Sequence, residues 1–112
     1  MRSTKMREYQ KLMEVTKKLK EIYPEMTIKQ LHIFLTVYND EGYTQFHYGK
    51  KCGESEAVVS RTVSRFGMEK LPKNDQLELI KTGIAADNRS KALLISDKGK
   101  ELVKSLLETL KD

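Results

Sequence analysis

Four hydroxyl residues constrain the fold of this chain more tightly than its composition does. Thr27, Thr44, Ser55 and Ser96 each stand just before a run with helical apolar spacing. A side-chain oxygen there can accept from a first-turn backbone N–H that has no partner inside the helix. Thr27 with Gln30 reads T-x-x-Q, a capping box, so a helix should start at Ile28 with Ile28, Leu31, Leu35 and Tyr38 as its inner face. Asn39-Asp40-Glu41-Gly42 stops it. Thr44 caps a short helix over 45–51 that Gly53 terminates, and Ser55 caps another over about 56–68. Ser96 caps the last helix, 97–111. Upstream, residues 4–23 form a helix that ends at Pro24, which disfavours helical backbone in the residue before it.

Between the fourth and last helices, 69–76 is a polar loop, and 77–80 and 92–95 read as strands joined by a long polar loop, 81–91. The order helix, helix, helix, helix, strand, strand, helix is α+β and predominantly α. It implies a winged helix-turn-helix with a two-stranded wing and an added helix at each end. The expected organisation is one domain over 1–112: the N-terminal helix 4–23, a core over 27–96 and the C-terminal helix 97–111. A length of 112 residues suits one domain.

Charge and composition bound the function. The chain carries 21 Lys and Arg against 16 Asp and Glu, a net charge of +5. That permits an acidic partner without naming one. No apolar run is long enough to span a bilayer and the N-terminus lacks the apolar stretch of a secretory signal, so a cytoplasmic protein is expected, with no membrane partner. The single cysteine, Cys52, suits a packing position, and no Cys or His spacing matches a zinc site. His32 and His47 have no carboxylate or cysteine at ligand spacing, so no metal and no cofactor are expected. Phe34, Tyr38, Phe46 and Tyr48 sit at spacings that suit a core. No nucleophile-elbow, P-loop or zinc-protease motif occurs, so the chain does not read as an enzyme.

The helix after Gly53 is the most informative segment. At about 100° per residue, Val59, Val63 and Phe66 share one face and Ala57, Ser60, Arg61 and Ser64 share the opposite one. The outer face is small and polar, with arginine as its long central side chain. A helix entering the major groove needs such a surface, because its backbone must approach the base edges. These four residues are the candidate base readers, and Arg65, one turn on, is a candidate phosphate contact.

The run from Cys52 to Phe66 resembles the turn and recognition helix of the MarR family of winged-helix transcriptional regulators, L-G-x-S-x-x-x-V-S-R-x-V-x-R-L. A second stretch, Asp87 to Gly99, is similar to that family's wing signature, D-x-R-x-x-x-x-x-L-[TS]-x-x-G. The resemblance implies a homodimer on pseudo-palindromic double-stranded DNA, most simply a repressor that occludes a promoter. It implies Arg89 in the minor groove, supported by Asp87. A narrow minor groove has enhanced negative potential that attracts such an arginine. By their positions, Thr44, Ser55, Arg65, Lys81 and Lys91 are the candidate DNA-backbone contacts.

Three departures from the family pattern stand out. Glu56 can accept from cytosine N4 or favour the helix dipole. The loop 69–76 is longer than the pattern, and one C-terminal helix stands where two are common. The dimer interface is therefore expected on 4–23 and 97–111, through Met6, Leu12, Leu19, Leu102, Val103, Leu106, Leu107 and Leu110. A small-molecule effector is left undefined. Two other readings stay open: a winged-helix module for protein–protein contact, favoured by Glu54, Glu56 and Glu69, and a replication-initiation DNA-binding protein.

Overall fold

The four hydroxyl caps order the chain. In the computed structural model, which describes residues 4–67, 76–85 and 89–111 with side chains from Arg7, α1 is Thr4–Ile22, α2 Ile28–Asn39, α3 Gln45–Cys52, α4 Glu56–Phe66 and α5 Asp97–Leu110. Strands β1, Ile80–Ile84, and β2, Lys91–Ile95, form an antiparallel pair. At the head of α2, the Thr27 hydroxyl accepts from the Gln30 N–H at 3.1 Å, and the Gln30 side chain accepts from the Thr27 N–H at 2.9 Å. Thr44, Ser55 and Ser96 accept from the N–H groups of His47, Val58 and Gly99 at 3.3, 3.2 and 3.0 Å. Gly53 closes α3 with φ of 68°, a left-handed conformation that costs glycine little.

The core collects Ile33, Phe34 and Val37 of α2, Tyr48 of α3, Val59, Val63 and Phe66 of α4, and Leu79, Ile80, Leu93 and Ile95 around the strands. α2 corrects the expected inner face. Ile28 is 86% exposed, and Leu35 and Tyr38 are also exposed, while Ile33, Phe34 and Val37 are fully buried. α2 carries apolar residues on two sides, so periodicity alone left two stripes. Packing against α4 and the strands selected the one the spacing did not favour. Among the expected core aromatics, Phe34 and Tyr48 are buried, whereas Tyr38 and Phe46 are exposed.

The first strand is also displaced. Residues 77–79, expected within it, run back along the end of α4. The N–H groups of Leu77, Glu78 and Leu79 donate to the carbonyls of Arg65, Gly67 and Phe66 at 3.0, 3.2 and 2.8 Å. These bonds satisfy carbonyls that the end of a helix leaves unpaired. Pairing with β2 then begins at Ile80 and continues through Ile84, so residues 81–84 and 91 of the expected loop 81–91 are strand. Of the expected loop 69–76, all but residue 76 lies outside the described residues.

α1 and α5 pack antiparallel. The Lys18 ammonium donates to the Ser105 hydroxyl at 3.0 Å and the Thr109 hydroxyl at 2.6 Å, and Lys11 donates to the Leu110 carbonyl at 3.2 Å. The radius of gyration is 15.4 Å with extents of 58 × 28 × 24 Å, against roughly 13 Å for a compact chain of this length. The start of α1 and the end of α5, which carry exposed Tyr9, Leu12, Met13, Leu107 and Leu110, form an arm.

Candidate nucleic-acid interface

Burial on α4 follows the two faces read from the sequence. Val59, Val63 and Phe66 are buried, with Thr62 beside them, whose hydroxyl donates to the Val58 carbonyl at 2.9 Å. Ala57 and Arg61 are exposed, and Ser60 and Ser64 are half-buried. The four candidate base readers therefore share one accessible face, with Arg61 as its long cation.

Arg65 is placed differently from Arg61. Its guanidinium carbon lies 5.5 Å from the centre of the Tyr23 ring, a cation–π arrangement. Tyr23 also meets the Phe66 ring edge-on at 6.3 Å between centroids. Tyr23 was not among the candidate residues. An aromatic at the end of the first helix was the available signal, but nothing in the sequence linked it to Arg65.

The electrostatics of the turn are softened by an ion pair. The Glu54 carboxylate lies 3.6 Å from the Lys29 ammonium. Glu56 is exposed in the first turn of α4, where a negative charge favours the helix dipole. Glu69 lies outside the described residues. Phe46 is exposed beside the turn, with the Lys50 ammonium 4.9 Å from its ring centre.

The turn and the wing are tied together by β2. On one edge β2 pairs with β1. On the other, the Gly42 N–H donates to the Leu93 carbonyl at 2.9 Å and the Leu93 N–H to the Tyr43 carbonyl at 2.8 Å. The Glu41 carboxylate accepts from the Ile95 N–H at 2.7 Å. The segment entering α3 is thus hydrogen-bonded to the outer edge of β2, which ties the helix-turn-helix to the wing. Tyr48 completes the join: its buried hydroxyl donates to the Asp40 carbonyl at 2.5 Å and accepts from the Tyr43 N–H at 3.2 Å. Burial pushes the Tyr48 phenol above its ordinary value of 10.0. The nearby Asp40 and Glu41 carboxylates add to this, and the Tyr43 N–H opposes it.

The wing cations do not form one cluster. Lys81 stands opposite Leu94 and Lys91 opposite Ile84. The offset of three residues puts the lysines on opposite faces, about 10 Å apart along the hairpin. Arg89 is exposed at the outer end, and Asp87 lies outside the described residues. Of the expected dimer residues, Leu19, Leu102, Val103 and Leu106 are buried in this chain's own core. They pack where α1 and α5 cross the rest of the fold. Leu12, Leu107 and Leu110 are exposed towards the end of the arm, beside Tyr9 and Met13. The Met6 side chain lies outside the described residues.

Cys52 is half-buried against the core, its thiol 3.4 Å from the Thr36 hydroxyl. His47 stacks on Tyr43 at 4.1 Å between ring centroids. Among the described residues no group of three or more His, Cys, Asp or Glu side chains could hold a metal ion, and no helix is long and apolar enough to cross a membrane.

The element order and the paired wing define a MarR-like winged helix-turn-helix fold. The chain is similar to MepR, a transcription regulator of the Staphylococcus aureus multidrug efflux pump MepA, with a TM-score of 0.64 and 19% identity over 95% of this chain and 72% of that one. It is also similar to a MarR-like transcriptional regulator from Thermotoga maritima, with a TM-score of 0.62 and 17% identity over 97% of this chain and 75% of that one. Both neighbours are transcription regulators rather than enzymes. No family model and no curated protein sequence matches the chain.

Proposed function

We propose that this protein is a sequence-specific regulator of transcription that binds double-stranded DNA as a homodimer and acts as a repressor in the cytoplasm. The observation that carries the reading is the exposed face of α4, Ala57 and Arg61 with Ser60 and Ser64, on a helix whose opposite face is locked into the core. Arg61 is free of steric cover and can donate a bidentate pair to guanine O6 and N7. The Thr44 and Ser55 oxygens accept from backbone N–H groups, which leaves each hydroxyl hydrogen able to donate to a phosphate. Arg89 is the minor-groove candidate, with Asp87 as its support and Arg65, Lys81 and Lys91 directed to phosphates. The Lys29–Glu54 pair removes part of the carboxylate charge that would repel DNA and so weakens the case for a purely protein-binding module.

The homodimer rests on the arm. Tyr9, Leu12, Met13, Leu107 and Leu110 leave apolar surface on two adjacent helices, and a twofold axis there would set two α4 helices for two half-sites. Selection of bound duplexes from a random pool tests the whole reading, with recovery of a pseudo-palindromic site as the expected result. On that site Arg61→Ala and Arg89→Ala should each weaken binding by about 10- to 100-fold, and affinity should fall steeply with salt. A protein that binds no duplex even at low salt would refute the reading.

A further inference from the structure

The wing carries one isoleucine that the core does not use. Ile84, at the outer end of β1, is 77% exposed. The register sets it opposite Lys91, and the Ala85 N–H donates to the Ser90 carbonyl at 2.9 Å. Residues 84 and 91 are therefore a non-hydrogen-bonded pair, the kind in which facing side chains stand closest. Inward along the same face come Thr82 opposite Leu93 and then Ile80 opposite Ile95. Leu93, Ile80 and Ile95 are completely buried. The face thus passes from dry core to one exposed apolar side chain beside a lysine stem.

Ile84 is also held firmly. It is flanked by ladder bonds on the hairpin, and β2 is anchored on its far edge by Gly42 and Tyr43. A β-branched side chain has little rotamer freedom to lose on contact. Over residues 80–95 the charges are Lys81, Arg89 and Lys91 against the single carboxylate of Asp87. That balance matches a polyanion better than an acidic-and-basic protein surface.

We infer that Ile84 is an apolar minor-groove contact of the wing, seated against the sugar walls or a base step of duplex DNA, with Lys91 on the neighbouring phosphate. The inference rests on the DNA-binding reading above. Apolar wedges beside basic side chains are a recurring way of gripping the minor groove. Such a contact adds affinity without releasing counterions, so it leaves a signature that a phosphate contact does not.

The test uses the full chain and the duplex selected above, with Kd measured across a salt series. Ile84→Thr keeps the β-branch and the exposed strand position, and an unchanged thermal melt confirms the fold. The expected result is binding weakened about tenfold with the salt slope unchanged, Ile84→Val falling between the two. Lys91→Met should instead reduce the slope by about one. Wild-type affinity in Ile84→Thr overturns the inference while leaving the DNA reading intact. A loss that comes with a reduced salt slope also overturns it, as does a loss confined to binding of a protein partner. If the wild-type protein binds no duplex, both the DNA reading and this inference fail together.

Discussion

Replacing Gly99 with alanine adds one methyl group in the first turn of α5, where helix propensity by itself favours alanine by about 1 kcal/mol at most. The tertiary structure reverses that sign. A Cβ at Gly99 would lie 2.4 Å from the Leu79 carbonyl oxygen and 2.7 Å from the Ile95 side chain. Ordinary carbon–oxygen contact needs about 3.3 Å, so α5 and the backbone at Leu79 must separate by roughly 0.9 Å. The Leu79 oxygen cannot move freely, because it accepts from the Ser96 N–H at 3.0 Å. Ser96 in turn donates from its hydroxyl to the Glu78 carbonyl at 2.6 Å and caps α5 through the Gly99 N–H. Separation therefore strains the cap and the backbone bond together. Overpacking of about 1–3 kcal/mol plus a weakened cap of about 1 kcal/mol exceeds the propensity gain, for a net loss of about 1–3 kcal/mol. Urea unfolding at fixed protein concentration, followed by circular dichroism, measures it. The midpoint should fall while the slope stays unchanged. A Gly99→Ala protein as stable as wild type or more so would show that the contact between α5 and the Leu79 backbone is not tight and would refute the reasoning.

Two other substitutions test separate parts of the molecule. Tyr48→Phe should cost about 1–3 kcal/mol near neutral pH, because the Asp40 carbonyl and the Tyr43 N–H lose their shared partner. The Tyr48 phenol is raised in the folded state, so its stabilisation is complete below the unfolded value of 10.0 and disappears as pH climbs through the folded one. The gap between wild type and variant, read from melts across alkaline pH, should narrow above pH 10.0, and a constant gap would contradict this. In the arm, Leu12→Glu with Leu107→Glu changes side chains that are 61% and 51% exposed, so the monomer should stay folded. Burying two leucines per chain at about 1.5–3 kcal/mol each implies a dimer weakened by more than 100-fold, visible by sedimentation equilibrium. A wild-type chain that sediments as a monomer would remove the arm as an interface.

What the sequence determined by itself was local. A hydroxyl before a helical run, a glycine after one and a proline at an end act within four or five residues, so the caps of α2 to α5 were legible. So was the division of α4 into a core face and an outer face, because that helix carries a single apolar stripe. The long-range pairings were decided by the tertiary structure. α2 has two apolar stripes, and only the position of α4 and the strands chose Ile33, Phe34 and Val37 over Ile28 and Leu35. Residues 77–79 have strand-like sequence but bond to the end of α4, because unpaired helix carbonyls compete with β2 for the same N–H groups. Half of the expected dimer residues became core for a similar reason. The apolar stripes of α1 and α5 are long enough to be shared between this chain and a partner, and only their antiparallel packing sets where one use ends and the other begins. Tyr23 beneath Arg65, Glu41 on β2 and the opposed faces of Lys81 and Lys91 are contacts between segments distant in the chain, which no spacing rule encodes.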